Sequence, residues 1–334
     1  MLNPLSQNIL ATICYYDVLD YPLTVFELWK YLISDQQSVS SDLAYAEAPA
    51  YVETSAGEPA GEQEKKGISI IDIINELEKE ELKKKIETFR GYYFLPGRKN
   101  LVAQRIERNK ISEEKYKIIK RVIKFLRLVP FIRMILVTGR VAMKNAEKRS
   151  DLDLLLVFEK GHIFLGRFLT VGLLSVLGKR RSGEKIKNKI CLNHFLSTEL
   201  SVTVQDLFSA HEYVFMLPVF GLEWYQKFFE KNVWIESYHP NFRSGLANAK
   251  EVKDEEWSKI IRKNLEYIFV PQFIENRLKK FQIAKIKANP KTQKAGGMII
   301  YSDDELAFWP DFKKQGPKVF EAFKERMGKL AGKL

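Results

Sequence analysis

The chain is poor in cysteine and has no long apolar run. Its two cysteines, Cys14 and Cys191, lie far apart and match no metal-ligand spacing. That excludes a disulfide framework or a cysteine-based zinc module and predicts two reduced core thiols. The one stretch worth testing as a membrane span, "IFLGRFLTVGLLSVLG", carries Arg167 and is shorter than the roughly 20 residues a bilayer needs. It reads as a buried helix, so no membrane partner is expected. No leading segment combines a basic start, an apolar core and a small-residue cleavage site, and a cytoplasmic protein is expected. No motif recurs at solenoid periods. Negative charge is also in short supply: 54 Lys and Arg against 42 Asp and Glu leave a net +12. Such a surplus favours polyanionic partners such as nucleotides or RNA and says nothing about fold.

What is present is globular composition, 46% apolar and 29% charged, in 334 residues, enough for two or three domains. "NILATICYYDVLDYPLTVFELWKYLI" holds two apolar-periodic stretches split by "DYPLT", hence two short helices. The Ser-, Ala-, Glu-, Gly- and Pro-rich segment that follows is too poor in apolar residues to order itself and reads as a flexible insertion, 35–67. A third helix at "SIIDIINELEKEE" and two apolar-alternating runs joined at Arg90 and Gly91 complete helix, helix, helix, hairpin, a winged-helix arrangement over 1–98. Asp72, Glu76, Glu78, Glu80 and Glu81 would face phosphates with the wrong sign, so DNA reading by this helix is disfavoured against a docking role. "SEEKYKIIKRVIKFLRLVP", with Ser112 as cap and Pro130 as stop, predicts a basic amphipathic helix connecting the domains over 99–130.

The segment "VTGRVAMKNAEKRSDLDLLLV", 137–157, carries the chemistry. It reads as a strand, a glycine turn, a polar stretch and a second strand. Side chains alternate on a strand, so Asp151 and Asp153 project from one face about 7 Å apart along the backbone. Two neighbouring carboxylates in an apolar strand repel and desolvate each other, so they need a compensating cation. A divalent metal, Mg²⁺ or Mn²⁺, suits oxygen ligands and takes nucleotide phosphates as its other partners. Gly139, twelve positions before Asp151, lets backbone N–H groups approach a phosphate.

These residues resemble the signature of the polymerase-beta-like nucleotidyltransferase superfamily: apolar strand, Gly-Ser, short spacer, then Asp-apolar-Asp-apolar. "GYYFLPGRKNLVAQR", "KICLNHFL", "QDLFSAHEYVFMLPVFG" and "IIYSDDELAFWP" are similar to segments of bacterial proteins in which this domain follows a winged-helix-like region. The resemblance implies an α+β fold with a mixed-sheet nucleotidyltransferase domain flanked by helices over 131–235; the residues after it, "EWSKIIRKNLEYIF" and "QFIENRLKKFQIAKIKA" among them, read as a mostly helical region over 236–334. Asp151 and Asp153 would be catalytic and hold the metal; Gly139, Arg140 and Ser150 would bind nucleotide. The implied reaction transfers a nucleoside monophosphate from an NTP such as ATP to an acceptor, which in the superfamily ranges over RNA, small molecules and proteins. Two positions depart from the pattern. Arg140 replaces the usual Ser, and the strand expected to bring a third carboxylate offers Asn193 as the metal ligand, which ligates weakly and accepts no proton.

Other residues read as structural. His194 is expected in the core, His211 and Glu212 in helix packing or capping, the aromatic residues from 213 to 234 in the core, and Asp303 and Asp304 at a helix cap. The basic loop "GKRRSGEKIKNK" reads first as solvated and second as a phosphate or RNA contact. Two alternatives to a working transferase remain: a catalytically weakened nucleotide-binding or regulatory protein, and a winged-helix DNA-binding regulator.

Overall fold

A computed structural model describes residues 2–33, 67–246, 249–269, 271–290, 292–293, 297–309 and 312–330. These residues form an α+β protein with thirteen helices and two sheets, the larger one mixed. Apart from Gly67, the expected insertion lies outside the described residues. The chain divides into two units, one of residues 1–103, 236–243 and 313–334, the other of residues 104–235 and 244–312.

In the first unit the order is α1 (Pro4–Val18), β1 (Leu23–Thr24), α2 (Val25–Lys30), α3 (Ile70–Leu77), α4 (Glu80–Lys83), β2 (Glu87–Phe89) and β3 (Tyr92–Phe94). Each of the three main helices starts where its sequence supplies a cap. Asn3 accepts the Ser6 N–H ahead of Pro4, and capping boxes pair Thr24 with Glu27 and Ser69 with Asp72. The strands pair antiparallel in the order β1-β3-β2, and Arg90 and Gly91, both at positive φ, turn the hairpin. Glu76, expected on the exposed acidic face of the third helix, is buried instead. Its carboxylate accepts from Asn3 Nδ2 at 2.9 Å, Lys79 Nζ at 2.7 Å and the Ser6 hydroxyl, which ties α3 to the start of α1.

The second unit begins within α5 (Asn100–Leu126) and continues through β4 (Ile132–Val137), α6 (Gly139–Ala142), β5 (Leu152–Phe158), α7 (Ile163–Val176), β6 (Ile190–Ser197), α8 (Leu207–Val214) and β7 (Leu217–Phe220). After α9 (Glu223–Lys231) the chain passes through α10 (Ile235–Tyr238), most of which belongs to the first unit, and then α11 (Glu256–Phe269), α12 (Gln272–Ala288) and the hairpin β8 (Met298–Tyr301) and β9 (Glu305–Trp309); α13 (Phe312–Leu330) returns to the first unit. The sheet order is β7-β4-β5-β6-β9-β8, with β5 and β6 parallel and every other pair antiparallel. β4 and β5 are buried on both faces, which is why they read as near-continuous Ile, Leu and Val. α7 has no cap of its own; the buried Glu275 on α12 accepts the Phe164 and Leu165 N–H groups at 2.8 Å each.

Four expectations are corrected here. Ser112 does not start a helix but sits inside α5, where its hydroxyl donates to Arg108 O at 2.7 Å and accepts the Ala146 N–H at 3.0 Å. The stretch after Val204, which reads from its apolar and aromatic spacing as helical, is not wholly so, because "LPVF" pairs with β4; Pro218 is tolerated there because β7 is a sheet edge. The C-terminal region adds a hairpin to the sheet through apolar alternation too short to register as two strands. Asp303 and Asp304 lie in that hairpin's turn, bonded to Lys279 and Ser197, rather than at a helix start. His194 is a satisfied core residue, its Nε2 2.9 Å from Glu305 Oε1. No helix among the described residues is long and apolar enough to cross a membrane.

Candidate active site

Asp151 precedes the first residue of β5, and Asp153 is the second residue in it. The approach to the strand is held by Lys115 on α5, a buried lysine whose Nζ donates to Ser150 O at 2.8 Å, Asn188 Oδ1 at 2.7 Å and Lys148 O at 3.3 Å. Burial and then the nearby Lys187 charge lower its pKa. The neighbouring backbone is closed by Leu152 N–H to Lys189 O at 2.9 Å. One ammonium therefore fixes the two segments that present Asp151.

Gly139 ends the turn after β4 at φ +62°, and a Cβ there would stand 2.8 Å from Asp153 Oδ2. Only glycine permits that approach. The Thr138 N–H donates to Asp153 O at 3.1 Å, so turn and strand are locked together. The Gly139 N–H donates to the carboxylate of Glu212 on α8.

Asp151, Asp153 and Cys191 each offer one ligand atom, all within 4.8 Å of one another. Cys191 arrives through sheet register: β6 runs parallel to β5 and sets Cys191 opposite Asp153. Asn193 falls two residues further on, at the register shift between Leu154 and Leu155. The position expected to bring a third oxygen ligand thus brings a thiol. Burial, then the charges of Asp153 and Asp151, push that thiol up to about 12, so at neutral pH it is protonated and donates to the Asp153 carboxylate. Burial first, then Asp151 and Glu212, push Asp153 up to about 7. Burial likewise raises Glu212 to about 7, against the Gly139 hydrogen bond.

The compensating charge that two adjacent aspartates require is present in the protein itself. Arg181, from the basic loop, donates to Asp151 Oδ2 at 2.5 Å and lies 3.6 Å from Cys191 Sγ. The donor set nevertheless fits a hard divalent ion: two carboxylates converge, and carboxylates are what Mg²⁺ or Mn²⁺ selects. A protonated thiol adds nothing to such a site, and Arg181 would have to yield Asp151 to an ion bound there.

The other expected site residues are engaged elsewhere. Arg140 is exposed and paired with Glu147, which also accepts from Arg108. The Ser150 hydroxyl accepts the Glu147 N–H at 2.9 Å within the preceding turn. Two carboxylates that follow β6 in sequence are not drawn to the aspartates either: Glu199 pairs with Lys160, and Asp206 caps α8 through the Ser209 N–H. Sequence reasoning missed Cys191, which needs the β5–β6 register, and Glu212, whose place depends on how α8 packs. It named Arg181 only within a basic loop and Lys115 only within a basic amphipathic helix. Comparison with protein-family models, with curated proteins and with solved structures finds no match.

Proposed function

We propose that this chain is a metal-dependent nucleotidyltransferase of the polymerase-beta-like class, with a winged-helix-like first unit. The observation that carries the proposal is the antiparallel β4–β5 pair, in which a positive-φ glycine turn packs directly on the second of two convergent aspartates. In the reaction, an acceptor oxygen forms a bond to the NTP α-phosphorus as the α–β phosphoanhydride bond breaks. Pyrophosphate leaves with the bonding electrons, and the acceptor proton passes to solvent. Asp151 and Asp153 would hold Mg²⁺ or Mn²⁺, which when bound supplies charge neutralisation for the phosphates. Lys115 keeps the two carboxylates convergent. Glu212, disposed to hold a proton near neutral pH, accepts the Gly139 N–H less strongly when protonated, which leaves that N–H available to a phosphate oxygen.

Incubation with labelled NTPs, Mg²⁺ or Mn²⁺ and a mixture of RNA, protein and small-molecule acceptors should yield a labelled product. Labelling that persists in Asp151→Asn and Asp153→Asn would refute the proposal.

A second reading draws on Arg181 and Cys191. An arginine already neutralising Asp151, and a thiol where a third carboxylate would serve, favour a nucleotide-binding or regulatory relative without turnover. Calorimetry showing Mn²⁺-dependent NTP binding with no pyrophosphate release would select it. In the first unit, the element order and the β1-β3-β2 sheet support the winged-helix reading. Exposed Phe26, Ile71 and Ile74 with exposed Asp72 favour protein docking over a DNA groove.

A further inference from the structure

β5 lies between β4 and β6 in the sheet, so the aspartates have two flanks. Gly139 occupies the β4 side. On the β6 side a cavity of about 250 Å³ is lined by Arg167, Arg180, Arg181, Ser182, Gly183 and Cys191 among others, and no carboxylate is among the lining residues. The three guanidinium groups differ in how they are satisfied. Arg181 is paired with Asp151. Arg167, from α7, donates to Gln282 Oε1 and lies 4.7 Å from the Phe308 ring, but its buried Nε has no partner among the described residues. The Arg180 side chain, on the loop after α7, has no hydrogen-bond or ion-pair partner among the described residues.

Two guanidiniums without a counter-ion facing one space repel each other, and burial followed by the Arg180 charge lowers Arg167 to about 10. A bound anion relieves that repulsion. The planar fork of arginine matches phosphate, to which it donates two parallel hydrogen bonds. The space is half-open to solvent and, at about 250 Å³, accommodates a phosphate with a few carbons, at the small end of ligand pockets, which run from about 300 to 1,000 Å³.

We propose that the arginine-lined cavity beside Cys191 binds the phosphate group of a small phosphorylated molecule, and that this molecule is the acceptor. Phosphate binding stands on the cavity alone; the acceptor role rests on the nucleotidyltransferase reading, with the NTP entering from the Gly139 side and the acceptor from the β6 side.

The test is calorimetry on the full chain in EDTA with inorganic phosphate and with glycerol phosphate as probes. One site is expected, and Arg180→Gln, an exposed position that leaves folding intact, should weaken it about tenfold, the loss of one or two charge-assisted hydrogen bonds. Arg181→Gln should weaken it as well, whereas Asp153→Asn should leave it intact. Absence of binding, or affinity unchanged in both arginine variants, overturns the site. Titration of Mn²⁺ and ATP into phosphate-saturated protein tests the acceptor role: undiminished ATP affinity supports it. Direct competition means the cavity takes the nucleotide's own phosphates and overturns that role. Phosphate binding that survives while no aspartate-dependent labelling is found would reject the transferase reading and leave the anion site standing.

Discussion

A methyl group at Gly139 has nowhere to go: the backbone is left-handed there and Asp153 Oδ2 stands in the way. Gly139→Ala should lower the urea-unfolding free energy by about 1–3 kcal/mol and abolish nucleotide binding together with it. Asp153 makes the opposite trade. Its folded pKa lies above that of an unfolded aspartate, as does that of Glu212, so between about pH 4 and pH 7 the folded state holds more protons than the unfolded one. Stability from these groups is present at low pH and lost as pH rises through about 7. In EDTA, Asp153→Asn should therefore be more stable than the parent at pH 8, with the gap closing near pH 4, while losing Mn²⁺ affinity. Urea titrations at the two pH values check this, and a variant less stable at pH 8 would contradict it. The aspartate pair and the glycine turn were legible because both follow from strand alternation and local turn chemistry. Arg181 was not, since nothing in a lysine- and arginine-rich loop says which member folds back thirty residues onto Asp151.

At the scale of elements, α5 and the strand entry are joined by Lys115. Lys115→Met leaves the Ser150 and Lys148 carbonyls and the Asn188 amide oxygen without that donor, at a cost of about 1–3 kcal/mol. It should also weaken Mn²⁺ binding in calorimetry, which a purely structural lysine would not do. In the first unit, burial holds His239 down to about 4, and its Nδ1–H donates to Tyr31 O at 3.2 Å. An unfolded histidine titrates near 6.5, so this neutral imidazole contributes stability above that pH. As pH falls from about 6.5 to 4 the contribution is lost, on the order of 3 kcal/mol in all. Chemical denaturation of the parent and of His239→Phe across that range should show the parent losing this amount relative to the variant as pH falls, the carboxylate contributions being common to both. Helices with caps and apolar periodicity were readable from sequence. A short strand at "MIIY" was readable too; β7 and β9, the second strand of that hairpin, were not, because a short apolar stretch such as "LPVF" fits helix and strand equally until a partner strand is known.

For the molecule as a whole, the +12 charge predicts attraction to any polyanion. The buried Glu76 and the exposed apolar and acidic side chains of α3 predict that the attraction is unspecific. Gel shifts with duplex DNA should show at most weak binding at about 50 mM salt, vanishing by about 200 mM, with no preference among sequences. A retained, sequence-selective complex would restore the DNA-regulator alternative. The α+β class and a mixed sheet were expected through the resemblance that residues 137–157 carry, and the described residues form such a sheet. The way the chain divides was not legible, since no composition shift marks a segment that leaves a unit and returns to it. Arg326 Nε, on α13, donates to the buried Asp17 at 2.7 Å, and Phe323 packs edge-on against Tyr15. α13 thus completes a core that α1 begins, although Asp17 and Arg326 lie 309 residues apart in sequence. Until α13 is in place, Asp17 has Arg98 as its other cation. Removing residues 313–330 should therefore loosen the first unit itself, detected as protease sensitivity around Asp17.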